Sequence, residues 1–197
     1  IIAVLDTGIK KGVSGLSQNI LWSLGKDYVD GDDDPGEDYE THGTQVARVI
    51  NRVTDNSIKI LPLKILNYTD SDQVWGKTSE LLEALEYSIS IADIINLSLA
   101  IETPAGESIR SVQSMIDIAE NHGKLIIGAA GNESLEKPAY PAIDPRVLSV
   151  GAVGPTLRPT SYTNKGVDIY APGGDYDLYP QGSQNQIWTG AKWTEGT

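Results

Sequence analysis

The chain opens with the stretch Ile1-Ile2-Ala3-Val4-Leu5-Asp6-Thr7-Gly8, in which five apolar residues are closed by an acid, a threonine and a glycine. A short, continuously apolar run that ends at a turn signal is typical of a parallel strand buried on both faces. The stretch therefore predicts a strand with Asp6 at its carboxyl end and Gly8 allowing a tight exit. Because the first residue already reads as core, we expect N-terminal residues to have been removed, and a signal or pro-segment with them.

Apolar runs and helical patterns alternate along the rest of the chain. This alternation predicts an α/β protein of one domain, residues 1–197, with a three-layer, doubly wound, mainly parallel sheet and helices on both faces. The predicted strands are residues 1–5, 58–66, 94–98, 125–129, 147–153 and 167–170. We expect residues 171–197 to form loops anchored by Trp188 and Trp193, because they are rich in Gly, Tyr and Gln and show little periodicity.

Two helices are predicted from apolar residues spaced for one helical face. The first follows a Thr78-Ser79 cap, and the second ends at His122-Gly123, because glycine supplies the left-handed turn after a helix. We expect His122 to be a surface residue. The two apolar faces are Leu82, Leu85, Ile89 and Ala92 in the first helix, and Ile109, Val112, Ile116 and Ala119 in the second.

Composition excludes several kinds of function. With 15 Lys plus Arg against 27 Asp plus Glu, the formal net charge is −12, which repels phosphate backbones and anionic membrane surfaces. We therefore expect neither a nucleic-acid nor a membrane partner. The chain has no cysteine, so disulfides, thiolate metal sites and thiol nucleophiles are excluded together. A secreted or extracytoplasmic bacterial location is the expectation, and a cytoplasmic one fits the missing cysteines equally well.

The more informative of the two histidines lies in Thr41-His42-Gly43-Thr44-Gln45-Val46-Ala47-Arg48-Val49-Ile50, where an acidic loop gives way to a helical pattern. A helix start beside a small residue fixes the imidazole, as a general base requires. The structural alternative is a histidine beside a helix N-cap, with Thr41 as the cap.

Residues 30–40 form the acidic loop, which carries seven carboxylates: Asp30, Asp32, Asp33, Asp34, Glu37, Asp38 and Glu40. Three interpretations are open: a solvated loop, a site for a cation such as calcium, or a surface that attracts basic substrate side chains. For either functional interpretation we expect Asp32, Asp33, Asp34 and Asp38 to contribute.

Function in a doubly wound sheet collects beyond the carboxyl ends of the strands. Asp6 follows the first strand, His42 opens a helix, and Asn132 follows a buried strand. A carboxylate can orient an imidazole, and a side-chain amide can donate to a developing oxyanion. These three residues predict hydrolysis and require a nucleophile.

Several motifs, in order along essentially the whole chain, resemble those of the subtilisin-like serine proteases (subtilases, peptidase family S8). Residues 2–9 resemble the aspartate motif, Thr41-His42-Gly43-Thr44 the histidine motif, and residues 129–132 the oxyanion asparagine. The remaining matches are residues 95–99, Tyr140-Pro141-Ala142, residues 148–152 and Ala171-Pro172-Gly173.

The resemblance implies a serine endopeptidase with Asp6, His42 and Asn132 as catalytic residues. Its substrate-binding residues would be Ser98, Leu99, Ala100 and Gly131. No cofactor is required for the chemistry. The family's tight calcium is not carried over, because residues 51–59 are too short for its loop, although a structural calcium elsewhere stays open.

The chain also departs from the family pattern. Arg48 stands where the family usually has glycine, and Gly196-Thr197 matches the start of the Gly-Thr-Ser nucleophile motif, so the serine is expected beyond residue 197. We expect the fold to be incomplete at its C-terminal side, with the serine on a following segment or a companion chain. The expected partners are this segment, peptide or protein substrates, and a pro-segment. The alternative function is an inactive, subtilase-fold binding or regulatory scaffold.

Overall fold

The computed structural model describes residues 1–68, 74–103, 108–174, 187–188 and 193–194. They belong to two compact units: the first is Ile1–Asn96 with Asp117–Leu125, and the second is Leu97–Ile116 with Ile126–Thr197. No helix among these described residues is long and apolar enough to cross a membrane.

The first unit is built on parallel strands. Its strands are β1 (Ile2–Asp6), β2 (Ile9–Lys10), β3 (Lys26–Asp27), β4 (Gly36–Glu37), β5 (Ile60–Lys64), β6 (Asn67–Tyr68), β7 (Val74–Trp75) and most of β8 (Ile94–Leu97), and its helices are α1 (His42–Val53) and α2 (Thr78–Ile91). Four of these strands lie side by side in the order β3-β5-β1-β8, all parallel. The register places Asp6 of β1 opposite Lys64 of β5.

The second unit continues the α/β pattern. It contains most of α3 (Arg110–Asn121) and of β9 (Leu125–Ala129), followed by β10 (Val147–Val153), β11 (Ile169–Pro172), β12 (Ile187–Trp188) and β13 (Trp193–Thr194). Strands β9, β10 and β11 lie in that order and are parallel, whereas β12 and β13 pair antiparallel with Trp188 opposite Trp193. The predicted α/β fold with a mainly parallel sheet is confirmed.

Two local predictions are wrong. Helix α2 begins at Thr78 after Lys77, and Glu80 accepts the backbone N–H of Lys77 at 2.8 Å. The carboxylate of Glu80, the third residue of the helix, therefore makes the capping hydrogen bond predicted for Thr78 and Ser79. The expectation of loops over residues 171–197 fails at residues 171–172, 187–188 and 193–194, which are strand. Residues 173–174 lie in no strand, and the other residues of that segment, including Gly196 and Thr197, lie outside the described ones.

A hydrophobic cluster in the first unit holds α1 beside β1. It combines residues of the strands, of α1 and of the connection after β2, and all its members are at most 7% exposed: Val4, Ile9, Val13, Leu16, Ile20, Ala47 and Ile60. Because Val4 lies two residues before Asp6 and Ala47 lies five after His42, this packing fixes where the strand end and the helix start meet.

Replacing Leu16 by alanine tests the contribution of this cluster. Leu16 is 2% exposed, so Leu16→Ala should lower the free energy of unfolding by about 2–5 kcal/mol. The matched control is Leu24→Ala, since Leu24 is 39% exposed and should lose clearly less. Denaturant unfolding of the two variants measures the difference, and equal losses would contradict this account of the core.

Candidate active site

The end of β1 and the start of α1 bring Asp6 and His42 together. Nδ1 of His42 lies 2.9 Å from each carboxylate oxygen of Asp6. The Asp6 side chain is 1% exposed, whereas that of His42 is 44% exposed. A buried carboxylate thus holds a histidine that solvent can reach, which is the pairing predicted from the two strand-end and helix-start motifs.

Backbone hydrogen bonds tie the two motifs to each other. The carboxylate of Asp6 also accepts the N–H of Thr7 at 2.7 Å, and the Thr7 hydroxyl accepts the N–H of Gly43 at 3.0 Å. Thr41 occupies the N-cap position, but its side chain caps no helix N–H and instead donates to the carbonyl of Gly8 at 3.2 Å. Thr41 is therefore the N-cap residue by position, as the structural alternative has it, but its hydroxyl links the helix start to the strand exit and caps no helix N–H.

Glycine at position 43 is what allows this close approach. A Cβ at Gly43 would lie 2.4 Å from the carbonyl oxygen of Gly8 and 3.1 Å from Cβ of Asp6. Gly8 itself has φ of +86°, a conformation that side chains disfavour. Both glycines of the two motifs are thus required by geometry at the point where aspartate and histidine meet.

The arrangement prepares His42 to act as a base. A buried carboxylate at Nδ1 accepts the proton of that nitrogen, so Nε2 is the nitrogen that can take a proton from another group. The carboxylate also stabilises the imidazolium that then forms. The pair can therefore activate a hydroxyl nucleophile.

Arg48 is accommodated by an ion pair that spans the start of α1. One of its terminal nitrogens donates to Oε1 of Glu40 at 2.5 Å, and the two side chains are 18% and 26% exposed. Nε of Arg48 is buried and has no hydrogen-bond partner among the residues that the structure describes. Since Glu40 precedes His42 by two residues, this ion pair holds the segment before His42 against helix α1. The carboxylate of Glu40 also neutralises the arginine that stands where the family usually has glycine.

The acidic loop is neutralised largely by basic residues of the chain. Its five ion-paired acids and their partners are Asp30 and Glu37 with Lys64, Asp33 with Lys26, Asp34 with Lys11, and Glu40 with Arg48. For Asp32 and Asp38 no ion pair is found within the described part of the chain. Asp32 instead accepts the N–H of Asp34 at 2.8 Å.

Lys64 is the centre of this network. Its side chain is 10% exposed, and Nζ lies 2.8 Å from Asp27, 2.9 Å from Asp30 and 3.0 Å from Glu37. Burial by itself would lower the pKa of Lys64, but these three hydrogen bonds raise it well above the usual value for lysine. The ammonium also lowers the pKa of Asp30 by donating to it. The Lys64 ammonium thus supplies a positive charge among the acids of the loop.

The structure groups no three acids and histidines that could hold a metal ion, within the residues it describes. Asp33 and Asp34 each face a lysine ammonium, which competes with any added cation for the same oxygens. Among the described residues, Asp32, Asp33, Asp34 and Asp38 are therefore not assembled as the set of metal ligands predicted for the loop. A structural calcium ion remains a prediction.

The predicted oxyanion and substrate residues belong to the second unit. Asn132 is exposed and follows the buried Gly131, just beyond β9. The Ser98, Leu99 and Ala100 segment follows β8 without regular secondary structure. Nearby, the N–H of Ile101 donates to the carbonyl of Tyr140 at 2.7 Å. Asp6 and His42 are in contact within the first unit, and Asn132 is placed by the second.

His122 has a different environment from His42. It follows the last residue of α3, and its Nδ1 lies 2.8 Å from the carbonyl oxygen of Ile118, one turn earlier. Gly123 has φ of +67°, as expected of a glycine that ends a helix. The prediction that His122 is a surface residue at a helix end is confirmed.

Sequence reasoning missed three residues that hold these sites. Thr7 links Asp6 to Gly43, Lys64 neutralises the acidic loop, and Asn164 is a fully buried amide beside the loop that carries Asn132. A lysine inside the apolar run of residues 60–66 is a signal for Lys64, because a lone buried charge requires partners. Nothing in the local pattern around Asn164 marks it.

The fold and the site together define a class: α/β proteins in which a strand-end carboxylate holds a histidine base through Nδ1. Comparison with known proteins then identifies the family. A family model described as the subtilase family (Peptidase_S8) matches residues 1–197, and the chain belongs to this family.

Two relatives show how much of a subtilase the chain represents. It is 33% identical over 186 residues to a thermophilic serine proteinase of Bacillus sp. strain AK1, an alignment that covers 88% of this chain and 44% of that protein. It is 34% identical over 182 residues to halolysin of Haloferax mediterranei, which covers 87% and 34% respectively. The chain thus spans less than half of the length of either relative.

A solved structure supports the same fold. A cold-adapted subtilisin-like serine proteinase superposes with a TM-score of 0.77 at 25% identity, covering 99% of this chain and 68% of that one. The predicted subtilisin-like fold is therefore confirmed.

Removing the Lys64 ammonium should destabilise the protein strongly. Lys64→Gln leaves Asp27 and Glu37, 2% and 13% exposed, without their counter-charge, and we expect a loss of about 3–5 kcal/mol in the free energy of unfolding. Lys11→Gln is the control, because the Lys11–Asp34 pair is more than half exposed and should contribute much less. Unfolding of both variants in denaturant at neutral pH measures the difference, and similar losses would contradict the central role of Lys64.

The pH dependence of this loss follows from the raised pKa of Lys64 and the lowered pKa of Asp30. Because the pKa of Lys64 is raised, its contribution is complete below the unfolded value of about 10.4 and is lost only as the pH rises through the folded pKa. Because the pKa of Asp30 is lowered, its contribution is present above about pH 3.9 and is lost as the pH falls. The difference between wild type and Lys64→Gln should therefore shrink in acid.

Removing only Glu40 from the Arg48–Glu40 pair should lower the free energy of unfolding more than removing both residues. Glu40→Ala leaves a largely buried guanidinium without its partner, so we expect a loss of about 1–3 kcal/mol in the free energy of unfolding. Glu40→Ala with Arg48→Ala should lose less than Glu40→Ala alone, since no charge is then left unpaired. The exposed Lys165–Glu136 pair supplies the control cycle, in which no such recovery is expected. Additive losses at positions 40 and 48 would show that the pair is not coupled.

Proposed function

We propose that the full protein is a serine endopeptidase of the subtilisin type. The observation that carries this proposal is the contact of 2.9 Å between Nδ1 of His42 and the buried carboxylate of Asp6. A family scaffold that only bound a partner would have no need to bury a carboxylate against a half-exposed imidazole. Membership of the subtilase family supports the same reaction.

In the proposed mechanism a serine hydroxyl attacks the carbonyl carbon of the scissile peptide bond. Nε2 of His42 accepts the proton of that hydroxyl as the new bond forms, and Asp6 stabilises the resulting imidazolium. His42 then donates the proton to the leaving amine. In the second step His42 takes a proton from the water that attacks the acyl-enzyme and returns it to the serine oxygen. Asp6 stays ionised throughout, because its task is to orient and stabilise the imidazole.

Asn132 is proposed to donate its side-chain amide to the oxyanion of the tetrahedral intermediate, together with the backbone N–H of the nucleophile. Its exposed position after Gly131 is suited to contact with a substrate. We propose that the backbone of Ser98, Leu99 and Ala100 pairs with an extended peptide, as in strand addition.

The serine itself is proposed to follow Thr197, because Gly196 and Thr197 match the start of the family's nucleophile motif. A following segment or a companion chain would then complete the triad. The proposed substrates are peptides or proteins outside the cytoplasm, and a pro-segment is a proposed partner of the full protein.

Substrates with Lys or Arg near the scissile bond are proposed to be preferred. The net charge of −12 attracts cationic peptides at long range, and this attraction weakens with salt. Since Lys11 and Lys26 already neutralise Asp34 and Asp33, the local contribution is assigned to Asp32 and Asp38. Peptide-library profiles at two salt concentrations, with and without a chelator, separate this preference from a calcium requirement.

Replacing each histidine in turn tests the proposed function. His42→Ala in the full-length protein should lower kcat by at least about 10⁴-fold, whereas His122→Ala should leave it within about threefold, since only His42 contacts a buried carboxylate. In subtilisin, a member of the same family, loss of the histidine base lowers kcat by more than this. Asp6→Asn should also disable the enzyme while its thermal unfolding stays cooperative. A His42→Ala variant that kept peptidase activity would refute the mechanism.

A further inference from the structure

Asn164 uses every hydrogen-bonding position of its side chain on the loop that carries Asn132. The residue is fully buried, with 0% exposure. Its Nδ2 donates to the carbonyl of Ala130 and to the carboxylate of Glu133, both at 2.8 Å. Its Oδ1 accepts the N–H of Glu133 at 3.2 Å and that of Leu135 at 2.9 Å. Both N–H bonds of Nδ2 and both lone pairs of Oδ1 are thus satisfied by residues on either side of Asn132.

The backbone around Asn164 reinforces these contacts. The N–H of Asn164 donates to the carbonyl of Gly131 at 3.0 Å, and Lys165 donates to the carbonyl of Leu135 at 2.8 Å. Ser134 donates its N–H to Tyr162 at 2.8 Å and its hydroxyl to Ser161 at 2.7 Å. The segment of residues 161–165 therefore runs along the loop and holds it at several points.

The loop needs such support because its backbone is in an unfavourable conformation. Gly131 has φ of +99° and Ser134 has φ of +58°, and left-handed backbone at a residue other than glycine costs free energy. A Cβ at Gly131 would lie 2.5 Å from Nδ2 of Asn164 and 2.6 Å from the carboxylate of Glu133. The amide thus occupies the space next to Gly131 that a side chain there would fill.

We propose that Asn164 is a positioning residue that holds the Asn132 amide in the place where the oxyanion develops. The inference rests on the proposed function, because it assigns a purpose to the placement of Asn132. Asn164 acts through the carbonyl of Ala130 and the N–H groups of Glu133 and Leu135, which lie on both sides of Asn132. A donor to an oxyanion works only at a well-defined position, and small displacements at an active site lower the rate steeply.

An amide is the side chain this position requires. Aspartate would keep an acceptor for the N–H groups of Glu133 and Leu135, but it would lose both donors and place a second carboxylate beside that of Glu133. An apolar residue would leave the carbonyl of Ala130 and the two N–H groups without these partners. Loss of the amide should therefore release the loop while the parallel strands stay paired.

A double-mutant cycle in the full-length protease tests the inference. Asn164→Ala should lower kcat by about 10-fold or more, up to the 10²–10³-fold typical of losing an oxyanion donor, with KM nearly unchanged. In an Asn132→Ala background the same substitution should lower kcat by less than about threefold, because there is no longer an amide to position. Affinity for a peptide boronate, which forms a tetrahedral adduct, should fall in parallel with kcat.

Two further variants protect the test against a loss of folding. Asn164→Asp enters the same cycle if the alanine variant does not fold cooperatively. Asn19→Ala is the matched control, since Asn19 is also a buried amide, 4% exposed, and donates to Asn51 at 2.7 Å in the first unit. It should lower the melting temperature without changing kcat or coupling to Asn132.

The outcomes separate the inference from the function on which it rests. Equal losses from Asn164 substitution with and without Asn132, or an unchanged kcat in a folded Asn164 variant, would overturn the positioning role alone. If Asn132→Ala left kcat unchanged, the oxyanion assignment would fail and the positioning role would fall with it. Non-additivity with an unchanged KM is the result that supports the proposal.

Discussion

The hydrogen bond from the His42 imidazole to the buried carboxylate of Asp6 is the interaction on which the rest of the site depends. A carboxylate that is 1% exposed must be satisfied where it lies, and Asp6 is satisfied by His42 and by the N–H of Thr7. This requires α1 to begin in contact with the exit of β1, which in turn requires Gly43 where a Cβ would meet the Gly8 carbonyl at 2.4 Å. The hydrogen bond between His42 and Asp6 therefore holds together the end of β1, the turn after it and the start of α1.

Charge is organised around the same strand ends. Lys64 lies opposite Asp6 in the register of β1 and β5 and binds Asp27, Asp30 and Glu37. An ammonium group carried by the sheet thus holds the acidic loop that leads to His42, and Arg48 binds Glu40 at the last step before the helix. The loop is ordered from within the chain by four basic residues, while the molecule as a whole keeps its strong negative charge.

Much of the fold and half of the site could be predicted from the sequence, for identifiable reasons. Buried parallel strands are continuous apolar runs, so β1, β9 and β10 were predicted to within a residue or two. Asp6 and His42 could be paired because Asp6 ends a strand and His42 begins a helix. A glycine follows closely in each case, at positions 8 and 43. The start of α2, the partners of Lys64 and the contacts of Asn164 could not be predicted, because each depends on groups brought together only by folding. Asn164 reaches residues about 30 positions earlier in the chain, a distance at which local patterns carry no information.

The most direct test of the account is the protonation state of the His42 imidazole. With histidine labelled by ¹⁵N in the full-length protein, we expect the neutral His42 imidazole to carry its proton on Nδ1 and none on Nε2. We also expect a strongly downfield Nδ1 proton that disappears in Asp6→Asn. His122, whose Nδ1 faces a backbone carbonyl in an exposed position, gives the reference signal whose tautomer should not respond to that substitution. A neutral His42 imidazole with its proton on Nε2, or an Nδ1 signal that Asp6→Asn left unchanged, would contradict this assignment.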